Sequence, residues 1–187
     1  MADYTDINQL YINAVEQGNL ADAEQFIMQG ANIDTQDKDG LIALITASKR
    51  GHLDIVRLIL EHNVCDAERA AKINVAMWYA ISGGFIDIIK IFLQNGADIN
   101  HIVDDTCSPL MVAAMNGRYN VVKFMLENGA DAGYVNKDGA SATIVAKAAG
   151  RADIAELLES YKTKQQNQSE KQSSSQEQNR SGRRIEL

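Results

Sequence analysis

Cysteine is scarce in this chain of 187 residues: Cys65 and Cys107 stand alone, with no CxxC spacing. Two isolated thiols build neither a disulfide framework nor a structural zinc site, so a reducing compartment is the simple reading. Histidine is equally thin, and His52, His62 and His101 fall at unrelated spacings that suit no metal. No apolar run approaches the roughly 18–20 residues that cross a bilayer. The opening MADYTDINQL is acidic and lacks the apolar stretch of a signal peptide. A cytoplasmic protein that does not enter a membrane is therefore expected. Catalytic signatures are missing as well. Gly83-Gly84 belongs to neither GxGxxG nor GxxxxGK[ST], and Asp104-Asp105 lacks EF-hand spacing. No Ser or Cys comes with a base and an orienting group. Neither an enzyme nor a resident cofactor or metal is expected.

Charge is uneven. Residues 162–187 hold six Lys or Arg against three Glu, which leaves 12 basic and 22 acidic residues in 1–161. An acidic body gains nothing from counterion release, so no nucleic-acid partner is expected for it.

What the chain does have is a period. Gly18, Gly51, Gly84, Gly117 and Gly150 recur every 33 residues, and Ala14, Ala47, Ala80, Ala113 and Ala146 share that spacing. A second column holds Gly30, Asn63, Gly96 and Gly129. Each glycine of the first column separates two segments of helical pattern, which predicts a helix-ending residue in the left-handed region. The alanines allow two helices to approach closely. Helix, tight turn, helix and short loop make one unit that cannot bury its apolar face alone, so the units must stack.

The ends and the loops fit that scheme. Asp22 and Gln25 in the first unit, and Glu159 in the last, stand where the other units carry apolar residues. Polar substitutions of this kind are expected of units that close a stack. Asp37-Lys38-Asp39-Gly40 and Asn136-Lys137-Asp138-Gly139, three periods apart, predict hairpin-like fingers with Gly at the demanding position. The third unit departs, because Asp66 to Lys72 has no Gly and good helix propensity. An early start of the helix leading to Trp78 is expected in place of a finger.

Here the residues resemble a family. Gly40-Leu41-Ile42-Ala43-Leu44 with Ala47 and Gly51-His52, and Ser108-Pro109-Leu110-Met111 with Ala113 and Asn116-Gly117, look like ankyrin repeats. Gln94-Asn95-Gly96-Ala97-Asp98-Ile99-Asn100 is similar to the family's repeat ending. The resemblance covers residues 4–161 and implies an all-α fold, an ankyrin-repeat solenoid of five helix-turn-helix repeats with short hairpin loops. Residues 162–187 form a separate polar tail in which disorder is expected. The family's Thr-Pro-Leu-His survives only as Ser108-Pro109-Leu110-Met111. Its His column reads Ile12, Ile45, Trp78, Met111 and Ile144, so apolar packing is expected to replace the family's loop hydrogen bonds.

The resemblance also implies a function: binding another protein, without a cofactor, on a concave face of hairpin tips and first helices. The family's variable positions fall on Lys38, Asp39, Leu41, Lys49 and Arg50 in the second repeat, and on Asp104, Asp105, Cys107, Met115 and Asn116 in the fourth. Ile102 and Val103 are apolar at an expected finger tip and join the partner-binding candidates. The expected protein is a monomeric adaptor, scaffold or inhibitor of unnamed partner. The tail leaves other readings open. Ile185 and Leu187 with a terminal carboxylate fit capture by a PDZ-type domain. Its polar, Ser- and Glu-containing stretch with a hydrophobic end also resembles the export signals of effectors from intracellular bacteria, which would place the protein in a host cell.

Overall fold

The computed structural model describes residues 6–62, 68–102 and 106–165. Nine helices run in order as α1 (Ile7–Gln17), α2 (Leu20–Met28), α3 (Ala43–Arg50), α4 (Leu53–His62), α5 (Arg69–Gly83), α6 (Ile86–Gln94), α7 (Pro109–Met115), α8 (Tyr119–Glu127) and α9 (Ala142–Ala148). A tenth, α10, spans 152–165 and so runs past the boundary at 161 that composition suggested. Among the described residues there is no strand, only the isolated bridges Gln36–Ile42 and Val135–Ser141 that close two fingers. Asn63, Cys65 and the tail beyond 165 lie outside the described residues.

Consecutive helices form hairpins, α1 on α2, α3 on α4, α5 on α6 and α7 on α8. The hairpins then stack in two rows. In the first row α3 packs on α1, α5 on α3, α7 on α5 and α9 on α7, and in the second α2, α4, α6 and α8 follow one another. First helices pack more extensively on one another than second helices do.

The glycine column does what the pattern required. Gly18, Gly51, Gly84, Gly117 and Gly150 sit at φ between 68° and 92°, in the left-handed region after each first helix. A second reason for them lies in the next hairpin. The residue after each glycine folds its side chain over the preceding hairpin's glycine: His52 over Gly18, Phe85 over Gly51, Arg118 over Gly84 and Arg151 over Gly117. Polar members of this column also reach the carbonyls left open at the preceding helix end. His52 Nε2 lies 3.2 Å from the Glu16 carbonyl, and Arg118 Nε donates to the Ser82 carbonyl at 2.9 Å. Two adjacent columns thus end a helix, seat the next hairpin and satisfy orphan acceptors.

The core is continuous through the stack. All five alanines of the column are buried, and Leu110 and Met111 of α7 are 1% exposed. At the ends, Asp22, Gln25 and Glu159 are exposed as expected, with Glu159 Oε1 2.6 Å from Lys147 Nζ. Tyr11 and Thr143, in the column that holds Leu44, Met77 and Leu110, carry the buried side-chain oxygens without a hydrogen-bond partner among the described residues. Apolar packing replaces the family's histidine at Ile12, Ile45, Trp78 and Met111, which all join or adjoin the core. At Ile144 that expectation fails. The side chain is 53% exposed, because no further first helix packs beyond α9 among the described residues.

Candidate protein-binding face

The fingers are built from short polar side chains. In the finger at 37–40, Asp37 Oδ1 accepts from the amides of Asp39 and Leu41, both at 2.9 Å. Asp37 Oδ2 accepts from Thr46 Oγ1 at 2.7 Å, and Thr46 is buried in α3, so the tip is fastened to its own first helix. The finger at 136–139 uses Asn136 the same way, accepting from Asp138 and Ala140 amides, while Asn136 Nδ2 donates to the Thr106 carbonyl at 2.6 Å. Hydrogen bonds therefore hold these two loops without the family's histidine, which corrects the expectation that apolar packing replaces the loop bonds. Burial alone would push the Asp37 carboxyl up. The Leu41 amide, the Thr46 hydroxyl, the Asp39 amide and the Lys49 charge outweigh it and hold the pKa below the ordinary carboxylate value.

A consequence can be measured. A depressed folded pKa means that the stabilisation is full above the ordinary value of 3.8 and is lost as pH falls through the lower folded value. Asp37→Asn should keep the two amide bonds, as Asn136 does, and remove this part of the acid dependence. Asp37→Ala should destabilise by about 1–2 kcal/mol. Urea midpoints at pH 3 and pH 7 for the three chains check both expectations, and identical acid dependence in parent and Asp37→Asn would contradict them.

The third finger is absent, as its composition suggested. The helix α5 begins at Arg69, is 15 residues long, and its first turns stand where the other hairpins raise a loop. Lys72 of this extension places Nζ 2.8 Å from Asp34 Oδ2, tying α5 back to the first loop.

Around this frame the candidate residues take definite places. Lys38 and Asp39 are exposed at a finger tip, and Leu41 is half-buried at its base. Lys49 and Arg50 end α3, with Lys49 Nζ 3.8 Å from Asp39 Oδ2 and Arg50 Nη2 3.7 Å from Glu16 Oε1. The structure therefore brings finger and helix end onto one surface. Both contacts are longer than a hydrogen bond and join groups open to solvent, so they contribute little to stability. Met115 is exposed at the end of α7, whereas Asn116 is half-buried and donates from Nδ2 to the Val112 carbonyl at 2.8 Å. Cys107 and Ile102 are half-buried. Val103, Asp104 and Asp105 lie outside the described residues. One member of the surface escaped the sequence reading: Glu16 occupies the Lys49 column, so the 33-residue spacing was the signal that could have found it.

Among the described residues no three His, Cys, Asp or Glu side chains gather as a metal site, and no helix is long and apolar enough to cross a membrane.

Helix hairpins stacked at this period, with fingers fastened to their first helices, define an ankyrin-type stack. The family described as Ankyrin repeats (3 copies) matches residues 11–103 and 100–170. The chain belongs to the ankyrin-repeat family and is a protein–protein interaction module. It is 28% identical over 108 residues to the ankyrin repeat and KH domain-containing protein mask-1 of Caenorhabditis elegans, covering 58% of this chain and 4% of that protein. It is 29% identical over 97 residues to protein phosphatase 1 regulatory subunit 27 of Mus musculus, covering 51% and 63% of the two chains. A Fowlpox virus ankyrin repeat protein is 33% identical over 95 residues, half of this chain and 22% of the viral one. In each case the match spans less than two thirds of the relative's length.

Proposed function

We propose that the chain binds one partner protein across the face made by its finger tips and the ends of its first helices, and acts as an adaptor or inhibitor. The observation that carries this reading is the contrast along α3. Leu44 and Ala47 are buried in the stack, while Lys49 and Arg50, with side chains 49% and 45% exposed, are left to the surface beside the finger. Stability does not require those two side chains, and contact with another protein gives them a use. Helices spaced about 8–10 Å apart give five hairpins roughly 40 Å of length, enough for the ~800 Å² per partner of a standard interface. The mouse relative is named a regulatory subunit of an enzyme, and a regulatory rather than catalytic role is the kind proposed here.

Affinity capture with the full chain, followed by mass spectrometry, supplies the partner. Lys49→Ala with Arg50→Ala should then weaken its binding by more than about 1 kcal/mol, since buried arginine is a frequent anchor. The variant's melting curve should match the parent's. Unchanged affinity would place the interface elsewhere.

A further inference from the structure

An Asn-Gly pair can modify itself, because glycine has no side chain to shield its amide nitrogen from the asparagine before it. The chain has three such pairs, Asn95-Gly96, Asn116-Gly117 and Asn128-Gly129. All three occupy the same structural place. Each Asn follows the last residue of a helix, α6, α7 or α8, and each Gly is left-handed, with φ of 85°, 68° and 88°. Each Asn Nδ2 donates to the carbonyl four residues back, at 2.9, 2.8 and 2.8 Å. Each Gly amide donates to the carbonyl three residues back, at 3.1, 3.2 and 3.4 Å. One contact separates them. Arg69 Nη2 of α5 donates to Asn95 Oδ1 at 2.9 Å. An Nδ2 on a carbonyl and an Oδ1 under a guanidinium fix which way this amide points, since arginine only donates. Among the described residues no donor reaches Oδ1 of Asn116 or Asn128. Asn95 also lines an open groove between α4 and α6, so water reaches it, whereas Asn116 is half-buried.

We infer that Asn95 is a self-deamidation site, and that Arg69 makes it the fastest of the three pairs. The Gly96 nitrogen gives up its proton and bonds to Cγ of Asn95, and the electron pair of the Cγ–Oδ1 double bond moves onto Oδ1. Collapse of that oxyanion breaks the Cγ–Nδ2 bond, and Nδ2 leaves as ammonia with the proton. Water then opens the cyclic imide at either carbonyl, which leaves aspartate or isoaspartate. No oxidant or reductant enters. Charge gathers on Oδ1, the atom that Arg69 holds. A neutral acceptor takes the weaker bond and an anionic one the stronger, so the guanidinium lowers the barrier more than it stabilises the starting amide. The bonds at Nδ2 and at the glycine amide restrain all three pairs alike, because the helix end must open before the attack. The aspartate product sets a carboxylate against Arg69 and keeps the contact as an ion pair. Isoaspartate adds a methylene to the backbone where α6 closes into the left-handed Gly96.

Ageing the full chain at mildly alkaline pH tests this, with peptide mapping by mass spectrometry that separates asparagine, aspartate and isoaspartate at each pair. Asn95 should convert about fivefold faster than Asn116 and Asn128, the effect of a charge-assisted bond open to solvent. Arg69→Met should bring Asn95 down to the rate of Asn128 and leave the other two pairs unchanged. Arg69→Lys, which keeps a cationic donor, should keep most of the lead. The other pairs report folding within each sample, since an unfolded variant would speed all three, and Arg69→Lys with the parent in urea then carries the test. In urea the Arg69 contact is gone, so the three pairs should convert alike and faster than in the folded chain. No lead for Asn95 in the folded parent would overturn the inference. So would a lead that survives Arg69→Met, one lost equally in Arg69→Lys, or one that persists in urea.

Discussion

Leu110→Ala should destabilise the chain by about 2–5 kcal/mol, the range for emptying a leucine site in a close-packed core. Leu110 is 1% exposed on α7, which packs on α5, α8 and α9, so the cavity would open in the core that joins neighbouring hairpins. In a stacked array, stability is roughly a sum of unit and interface terms, and a central interface is where one lost side chain is felt by both neighbours. Met28→Ala is the matched control. Met28 is 75% exposed on α2, and its truncation should change little. Urea midpoints for the two variants decide the matter, and equal midpoints would contradict the burial that defines the stack.

Gly51→Ala should be about as damaging as the leucine truncation, for two reasons that can be separated. The backbone at Gly51 has φ of 82°, where an L side chain costs roughly 1–2 kcal/mol. An added Cβ would also meet the Phe85 ring at 2.5 Å, and crowding of a packed contact costs typically about 1–3 kcal/mol more. Gly40→Ala isolates the first cost. Its φ is 76° and nothing lies within 4 Å of the added carbon, so only the backbone penalty should appear. A Gly51→Ala variant no less stable than Gly40→Ala would show that the Phe85 contact yields freely.

The period, the helix pairs and the polar ends were legible because each is a local rule repeated at 33 residues: a helix-ending glycine, a small alanine, an apolar face interrupted in the first and last units. The missing third finger was legible for the same reason, since helix propensity and the absence of glycine act within a few residues. What stayed hidden depends on distance in the chain. The Phe85 ring on Gly51 is a contact between hairpins, and nothing local says that a side chain 34 residues on occupies the glycine's open side. The bond from Thr46 to Asp37 explains why the fingers hold without histidine, and it needs the geometry of the finger over α3. The candidate face was read in its second-hairpin part from the family's variable positions, but Glu16, in the first hairpin opposite Arg50, was missed. Asn116, read as a surface candidate, spends its amide on its own helix end.

Hydrogen exchange of the full chain, free and with the captured partner, tests the central claim most directly. Amides of the 37–41 finger, of the 136–139 finger and of the ends of α3 and α7 should gain protection in the complex, while the second helices α4, α6 and α8 exchange as before. Protection confined to α4, α6 and α8, or to the tail beyond residue 165, would contradict it.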